Sequence, residues 1–202
     1  MLDRHMRPII DPPLARLGGI LAAAGVSANA VTLAGLAAGL LAAWCVTQGL
    51  MLEALALILA SRIADGLDGA VARARGPSDF GGYLDISADF LFYGAVPLAF
   101  VALDPAANGL AGAVLLVSFY FNGASFLGFA ILAERKAMRS EVHGVKSLYF
   151  TEGLLEGTET IVFFLLLCLM PGWFAPLAWG FAALCFATAG ARLLLAHRVF
   201  RD

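Results

Sequence analysis

DGLDGAVARARGPSDFGGYLDISADF, residues 65–90, places five aspartates and two arginines inside a chain that is otherwise largely apolar. Asp65 and Asp68 stand at i, i+3, and Asp85 and Asp89 at i, i+4, spacings that put each pair on one face of a helix. The run Arg75-Gly76-Pro77 predicts a short turn between them. The two helices then form an antiparallel hairpin in which the acid pairs confront one another. Asp79 falls in the turn and is expected to be solvated.

Composition sets the surroundings of this stretch. The chain has 202 residues, 61% of them hydrophobic and 14% charged, with a mean hydropathy of +0.86. A soluble domain of that length needs more polar surface, so the reading is an all-α integral membrane protein. A net charge of −2 leaves no basic face for a nucleic acid. Cys45, Cys168 and Cys185 lie in apolar runs without metal-ligand spacing and read as small buried hydrophobes.

A bilayer core takes about 20 helical residues to cross, and six stretches qualify. They run approximately over 28–48, 51–73, 80–103, 109–133, 153–170 and 173–195, with breaks at Gly49, at Asp104-Pro105 with Asn108, and at Pro171-Gly172. The 13 Lys and Arg residues are one-sided. Arg4, Arg7 and Arg16 precede the first span, and Arg73 and Arg75 follow the second. Arg135, Lys136, Arg139 and Lys146 lie in the one long loop, 134–152, and Arg192, Arg198 and Arg201 lie at the end. Arg62 sits in the half of span two nearer that same side. By the positive-inside rule both termini and the 65–90 stretch are cytoplasmic, in a bacterial or archaeal cell membrane. No repeat or internal boundary is evident. Residues 1–25 are expected to form an amphipathic juxtamembrane segment and 26–202 a single six-helix membrane domain.

Arg4 and Arg7, the apolar run 17–24 and Ala28-Asn29-Ala30 imitate a cleavable signal peptide. Pro12-Pro13 and Gly18-Gly19 interrupt that pattern. Asp11 followed by Pro12 reads instead as the cap and first residue of a short helix on the membrane surface.

At 1.5 Å per residue, Asp68 lies about 25 Å along span two from its outer start, inside the membrane boundary near the cytoplasmic edge. Four ionised carboxylates there repel one another and resist desolvation, and Arg73 alone does not neutralise them. A divalent metal fits, because hard oxygen ligands suit Mg²⁺ or Mn²⁺, which in turn commonly bind phosphates. Gly66, Gly69, Ala70, Ala72, Gly81 and Gly82 remove side chains beside the acids, although close helix packing in membranes accounts for small residues too.

Asp65-x-x-Asp68-Gly69-x-x-Ala72-Arg73, followed by Gly81-x-x-x-Asp85-x-x-x-Asp89, resembles the signature of the CDP-alcohol phosphotransferases, membrane enzymes with six transmembrane helices. Seven residues separate Arg73 from Gly81 where the usual signature has eight, and the difference falls in the turn. Asn29-x-x-Thr32 at the start of span one is similar to the family's Asn-x-x-Thr element, although both residue types are also ordinary helix caps.

The resemblance implies that a CDP-linked lipid donor, such as CDP-diacylglycerol, passes its phosphatidyl group to a small polar alcohol acceptor and releases CMP, in phospholipid biosynthesis. It implies that Asp65, Asp68, Asp85 and Asp89 hold two divalent ions, Mg²⁺ or Mn²⁺, with Asp89 also the general base. Asn29, Thr32, Gly69, Ala72, Arg73, Ser78 and Gly81 would border the CDP moiety, and a homodimer is implied. Two metals can neutralise a diphosphate and stabilise the departing nucleotide.

Outside the motif, Lys146 is placed like the basic element of some relatives and is a candidate for a substrate phosphate; a basic boundary residue is the alternative. Glu156 and Glu159 share a helical face in an apolar span and are candidates to bind the acceptor or to pair with Arg62 or Arg192, the second being the favoured reading. Asn122 is expected to make an interhelical hydrogen bond, and Trp44 and Trp173 to sit in the outer aromatic belt. The rival function is an ion-coupled transporter using the intramembrane aspartates. It predicts acids spread through the membrane depth, whereas these four converge on one face.

Overall fold

A computed structural model of the chain describes residues 3–135 and 157–200. Those residues form seven α-helices and one 3₁₀ turn, without a strand among them. Helix α1 spans Asp3–Ala23, α2 Ala28–Thr47, α3 Met51–Arg75, α4 Asp79–Leu103 and α5 Pro105–Arg135. Further along the chain, α6 spans Gly157–Leu169 and α7 Phe174–Val199, joined by the turn Pro171–Trp173.

The ends of these helices follow from local chemistry. Gly25 and Gly49 take positive φ (86° and 75°), and the next N–H in each case reaches back five residues: Val26 to the Leu21 carbonyl at 3.0 Å, Leu50 to that of Cys45 at 2.9 Å. That is how a glycine satisfies the last carbonyls of a helix and turns the chain. Ser27 caps α2 by accepting from the Ala30 N–H at 3.2 Å. Ser78 caps α4 by accepting from the Gly81 N–H at 3.1 Å. Asp104 caps α5 by accepting from the Ala107 N–H at 3.0 Å, with Pro105 in the first helical position, where it loses no hydrogen bond. Asn108 does not break the chain as expected. It is buried in α5 and donates to the Phe100 carbonyl of α4 at 2.8 Å.

Four helical stretches are long and apolar enough to cross a membrane: Ala28–Thr47, Asp79–Leu103, Pro105–Arg135 and Pro171–Val199. The expected second span is a 25-residue helix, α3, whose charged residues set it apart from the other four. The expected fifth is represented by the 13 residues of α6. The core joins Ile58, Phe92, Phe100, Phe163, Phe164, Phe174 and Phe181; Phe163 stacks on Phe181 at 4.1 Å and Phe100 on Phe174 at 5.1 Å. Burying aromatic rings of this size supplies a large share of the packing energy of such a bundle. Cys45, Cys168 and Cys185 are buried and unpaired, as read. Trp44 and Trp173 are exposed.

Two expectations about packing are corrected. The N-terminal helix begins at Asp3 and runs through Pro12 and Pro13. The prolines remove backbone hydrogen bonds, but α1 docks along α3, with Leu14 against Gly66 and Gly18 against Ala70, and that contact holds the helix together. The second correction concerns α3 and α4. They are not a closely packed hairpin; α2 lies along both of them, while α3 and α4 approach each other little. Small buried residues of α2 make this possible. A Cβ on Gly35 would lie 3.0 Å from that of Ala64, and one on Gly39 would lie 2.6 Å from the Phe92 ring.

Candidate active site

The helices α3 and α4 diverge from a three-residue connection, Gly76 to Ser78, and the acids face the space between them. One carboxylate oxygen from each of Asp65, Asp68 and Asp85 can be chosen so that all lie within 4.8 Å of one another. Three hard oxygen donors from two rigid helices fit a divalent cation of the Mg²⁺ or Mn²⁺ kind. Asp68 is the buried member of the group. Its Oδ2 accepts a 2.6 Å hydrogen bond from the hydroxyl of Thr32 on α2. A donor behind a metal-binding carboxylate fixes the direction of its remaining lone pairs.

Asp89 adjoins this group without being one of its three oxygen donors. Its Oδ1 accepts from Nη1 of Arg62 at 2.6 Å, and the same nitrogen is 3.5 Å from Oδ1 of Asp65. The guanidinium lies over the Phe92 ring, 4.1 Å from its centroid, and Nη2 donates to Ser61 Oγ at 3.1 Å. This is the cation that sequence reasoning sought for the acids and did not find. Among the described residues the partners of Arg62 are Asp65, Asp89 and Ser61 rather than the expected Glu159. The signal was present: Arg62 precedes Asp65 by three residues and so shares its face. Arg192 likewise turns to neutral groups. Its Nη1 donates to the side chain of Asn122 at 3.0 Å and to Ser125 Oγ at 2.7 Å, so Asn122 does bond between helices, α5 to α7.

The residues matched to CDP binding gather where α2 begins, α3 ends and α4 begins. Gly81 lies between Asn29 and Ser78; a Cβ there would stand 3.2 Å from Asn29 Oδ1 and 2.9 Å from Ser78 Oγ. Gly69 faces Arg73, whose Nη1 would be 3.3 Å from an added Cβ. Arg73 and Ser78 are exposed and Ala72 is half-buried. The capping alternative for Asn29 and Thr32 loses force, because Ser27 is the cap. Arg75 ties the end of α3 to the α1–α2 connection by donating to the Val26 carbonyl at 2.9 Å. Asp79 is exposed at the start of α4, as read. Lys136, Arg139, Lys146 and Glu156 lie outside the described residues.

The chain is 48% identical over 193 residues to the inner membrane protein YnjF of Escherichia coli, covering 96% of this chain and 94% of that one. An archaetidylinositol phosphate synthase of Pyrococcus horikoshii is 38% identical over 87 residues, 43% of this chain and 46% of the relative. The fold matches that of Mycobacterium tuberculosis phosphatidylinositol phosphate synthase (PgsA1) solved with CDP-DAG bound. The TM-score is 0.66 at 21% identity, over 91% of this chain and 93% of that one. The same enzyme solved with manganese and citrate gives a TM-score of 0.64 at 21% identity, over 90% and 87%. The family model for CDP-alcohol phosphatidyltransferases matches residues 25–189: the chain is a membrane protein of phospholipid biosynthesis and belongs to the CDP-alcohol phosphatidyltransferase family.

Proposed function

We propose that this transferase moves the phosphatidyl group of a CDP-linked lipid, such as CDP-diacylglycerol, to a small polar alcohol and releases CMP. The observation that carries the reading is the convergence of Asp65, Asp68 and Asp85, with carboxylate oxygens within 4.8 Å of one another, beside the residues matched to the nucleotide. A divalent ion held by these three would neutralise diphosphate charge and polarise the phosphorus under attack.

The chain's own residues supply the rest. Asn29, Gly69, Arg73 and Gly81 border the place of the CDP moiety. The missing side chains at Gly69 and Gly81 leave room for it, and Arg73 offers a cation to its phosphates. Asp89 takes the proton of the acceptor hydroxyl. Arg62 holds its Oδ1, and Oδ2 carries no hydrogen bond among the described residues. The acceptor oxygen bonds to the β-phosphorus, the bond from that phosphorus to the bridging oxygen breaks, and CMP carries the bridging oxygen away. Lys146 remains a candidate for a substrate phosphate.

Six spans accommodate this chemistry. The charge of α3 is then carried at one end of a membrane-crossing helix, and α6 is the described part of the fifth span. Both termini and the site face the cytoplasm by the distribution of Lys and Arg. The enzyme is taken to be a homodimer. Lipid enters sideways from the bilayer, and the acceptor enters from water.

Purified protein given Mg²⁺ or Mn²⁺, CDP-diacylglycerol and a panel of alcohols is expected to release CMP. Two of the relatives are named for inositol phosphate products, so inositol phosphate belongs in the panel with serine and glycerol phosphate. Mass spectrometry of the lipid product identifies the acceptor. Asp89→Asn is expected to abolish CMP release while the protein stays folded; full activity in that variant, or transfer without divalent metal, removes the mechanism. Ion-driven flux in liposomes without CMP release favours the transporter instead.

A further inference from the structure

We infer that Arg62 occupies the place of a second cation, so that the donor-free site takes one divalent ion rather than two. The inference rests on the metal-dependent reading above and concerns how charge is shared among its acids.

The geometry distinguishes Asp89 from the other three aspartates by its partner. Asp65, Asp68 and Asp85 form the three-oxygen group, and Asp89 lies outside it with its Oδ1 on Arg62. An ion bridging Asp65 and Asp89 through their Oδ1 atoms would take the place of Nη1 of Arg62, which approaches them at 3.5 Å and 2.6 Å.

Arg62 is also held from its other sides. Its side chain is 11% exposed. The Phe92 ring lies beneath the guanidinium, 4.1 Å from centroid to Cζ, and that ring is fully buried. Ser61 takes Nη2, while Nε is buried without a hydrogen-bond partner. An arginine that leaves one N–H unpaired in order to face two carboxylates is fixed by them, since an unmade buried hydrogen bond is costly.

Charge counting points the same way. Four carboxylates, one guanidinium and one divalent ion leave a single net negative charge. A second ion would make the site net positive, beside an arginine packed against a ring in low dielectric. With an uncharged residue at position 62, two ions would bring the four carboxylates to neutrality. Arg62 is therefore a positioning residue. It holds Asp89 apart from the ion and fixes the direction of its Oδ1.

The test counts ions, not turnover. Detergent-purified, donor-free protein is dialysed to equilibrium against Mn²⁺, and bound manganese is measured per chain. Wild type and Arg62→Lys are expected to hold one ion; Arg62→Met and Arg62→Gln are expected to hold two. Asp89→Asn, which keeps Arg62, is expected still to hold one. A wild-type count other than one overturns the inference, as does a count of one in both uncharged Arg62 variants. Loss of the ion in Asp89→Asn does so as well, and decides the matter if the Arg62 variants do not fold. The outcome is separable from the transferase reading. Counts as expected with no CMP release from any alcohol would remove the reaction and leave the charge arrangement standing.

Discussion

At the scale of single residues, Thr32 is as informative as any acid. Its hydroxyl is the hydrogen-bond donor aimed at the buried Asp68. Thr32→Ala takes that donor away and leaves a carboxylate that can turn from the ion. The metal concentration giving half-maximal CMP release is expected to rise about tenfold, the lower end of what such supporting contacts are worth; Thr32→Ser, which keeps the hydroxyl, should stay close to wild type. A metal titration of CMP release checks both. The four motif aspartates were legible because helical spacing alone fixes which of them share a face. Arg62 was not assigned correctly, for a physical reason. The glutamates of the fifth span are acids in an apolar run and call for a counter-charge, and Arg62 stood at a suitable depth. Which acid an arginine meets depends on which helices abut. Asp89, 27 residues away, is reached by the arginine side chain across the space between α3 and α4.

The elements differ in how far their sequence betrays their packing. Helix α2 is apolar around its whole circumference, so no stripe announces that it would face α3 and α4 at once. Only the small residues on it, Gly35 and Gly39, mark the close approaches. Helix α1 misleads in the opposite direction. Adjacent prolines and adjacent glycines read as interruptions, yet one of those glycines is what lets α1 dock. An added Cβ at Gly18 would stand 2.5 Å from the Cβ of Ala70 and 3.0 Å from the Ala70 carbonyl carbon, whereas one at Gly19 meets nothing within 4 Å. Gly18→Ala should therefore destabilise the protein by about 1–3 kcal/mol, the usual cost of overpacking. Gly19→Ala should be neutral or stabilise it by up to about 1 kcal/mol through better helix propensity. Melting of the two variants in the same detergent separates them, and equal melting temperatures would refute the docking contact. Helix ends were legible at Gly49, Asp104 and Pro105, which each have a local reason to stop or start a helix, whereas the roles of Gly25 and Ser78 as helix ends went unread.

For the whole molecule, the distribution of Lys and Arg gives a testable orientation. The native cysteines are all buried, so a membrane-impermeant thiol reagent should leave the intact wild type unlabelled. A cysteine placed at the exposed Asp79 should be protected in intact cells and react once the membrane is opened. One placed at the exposed Gly172 should react from outside directly. The reverse pattern would invert the topology.

The stripe Thr32, Gly35 and Gly39 along α2 has a consequence for how such a protein can diverge. The acid-bearing helices rest on a surface where Thr32 is committed to Asp68 and where Gly35 and Gly39 leave no room to grow. Few mutational paths lead away from that surface without disturbing the carboxylates or the ring beneath Arg62. The helices α5 and α7 are joined instead by Arg192 and its neutral partners Asn122 and Ser125, which other side chains could replace. Divergence should accordingly be freer between α5 and α7, with the α2 surface inherited almost unchanged.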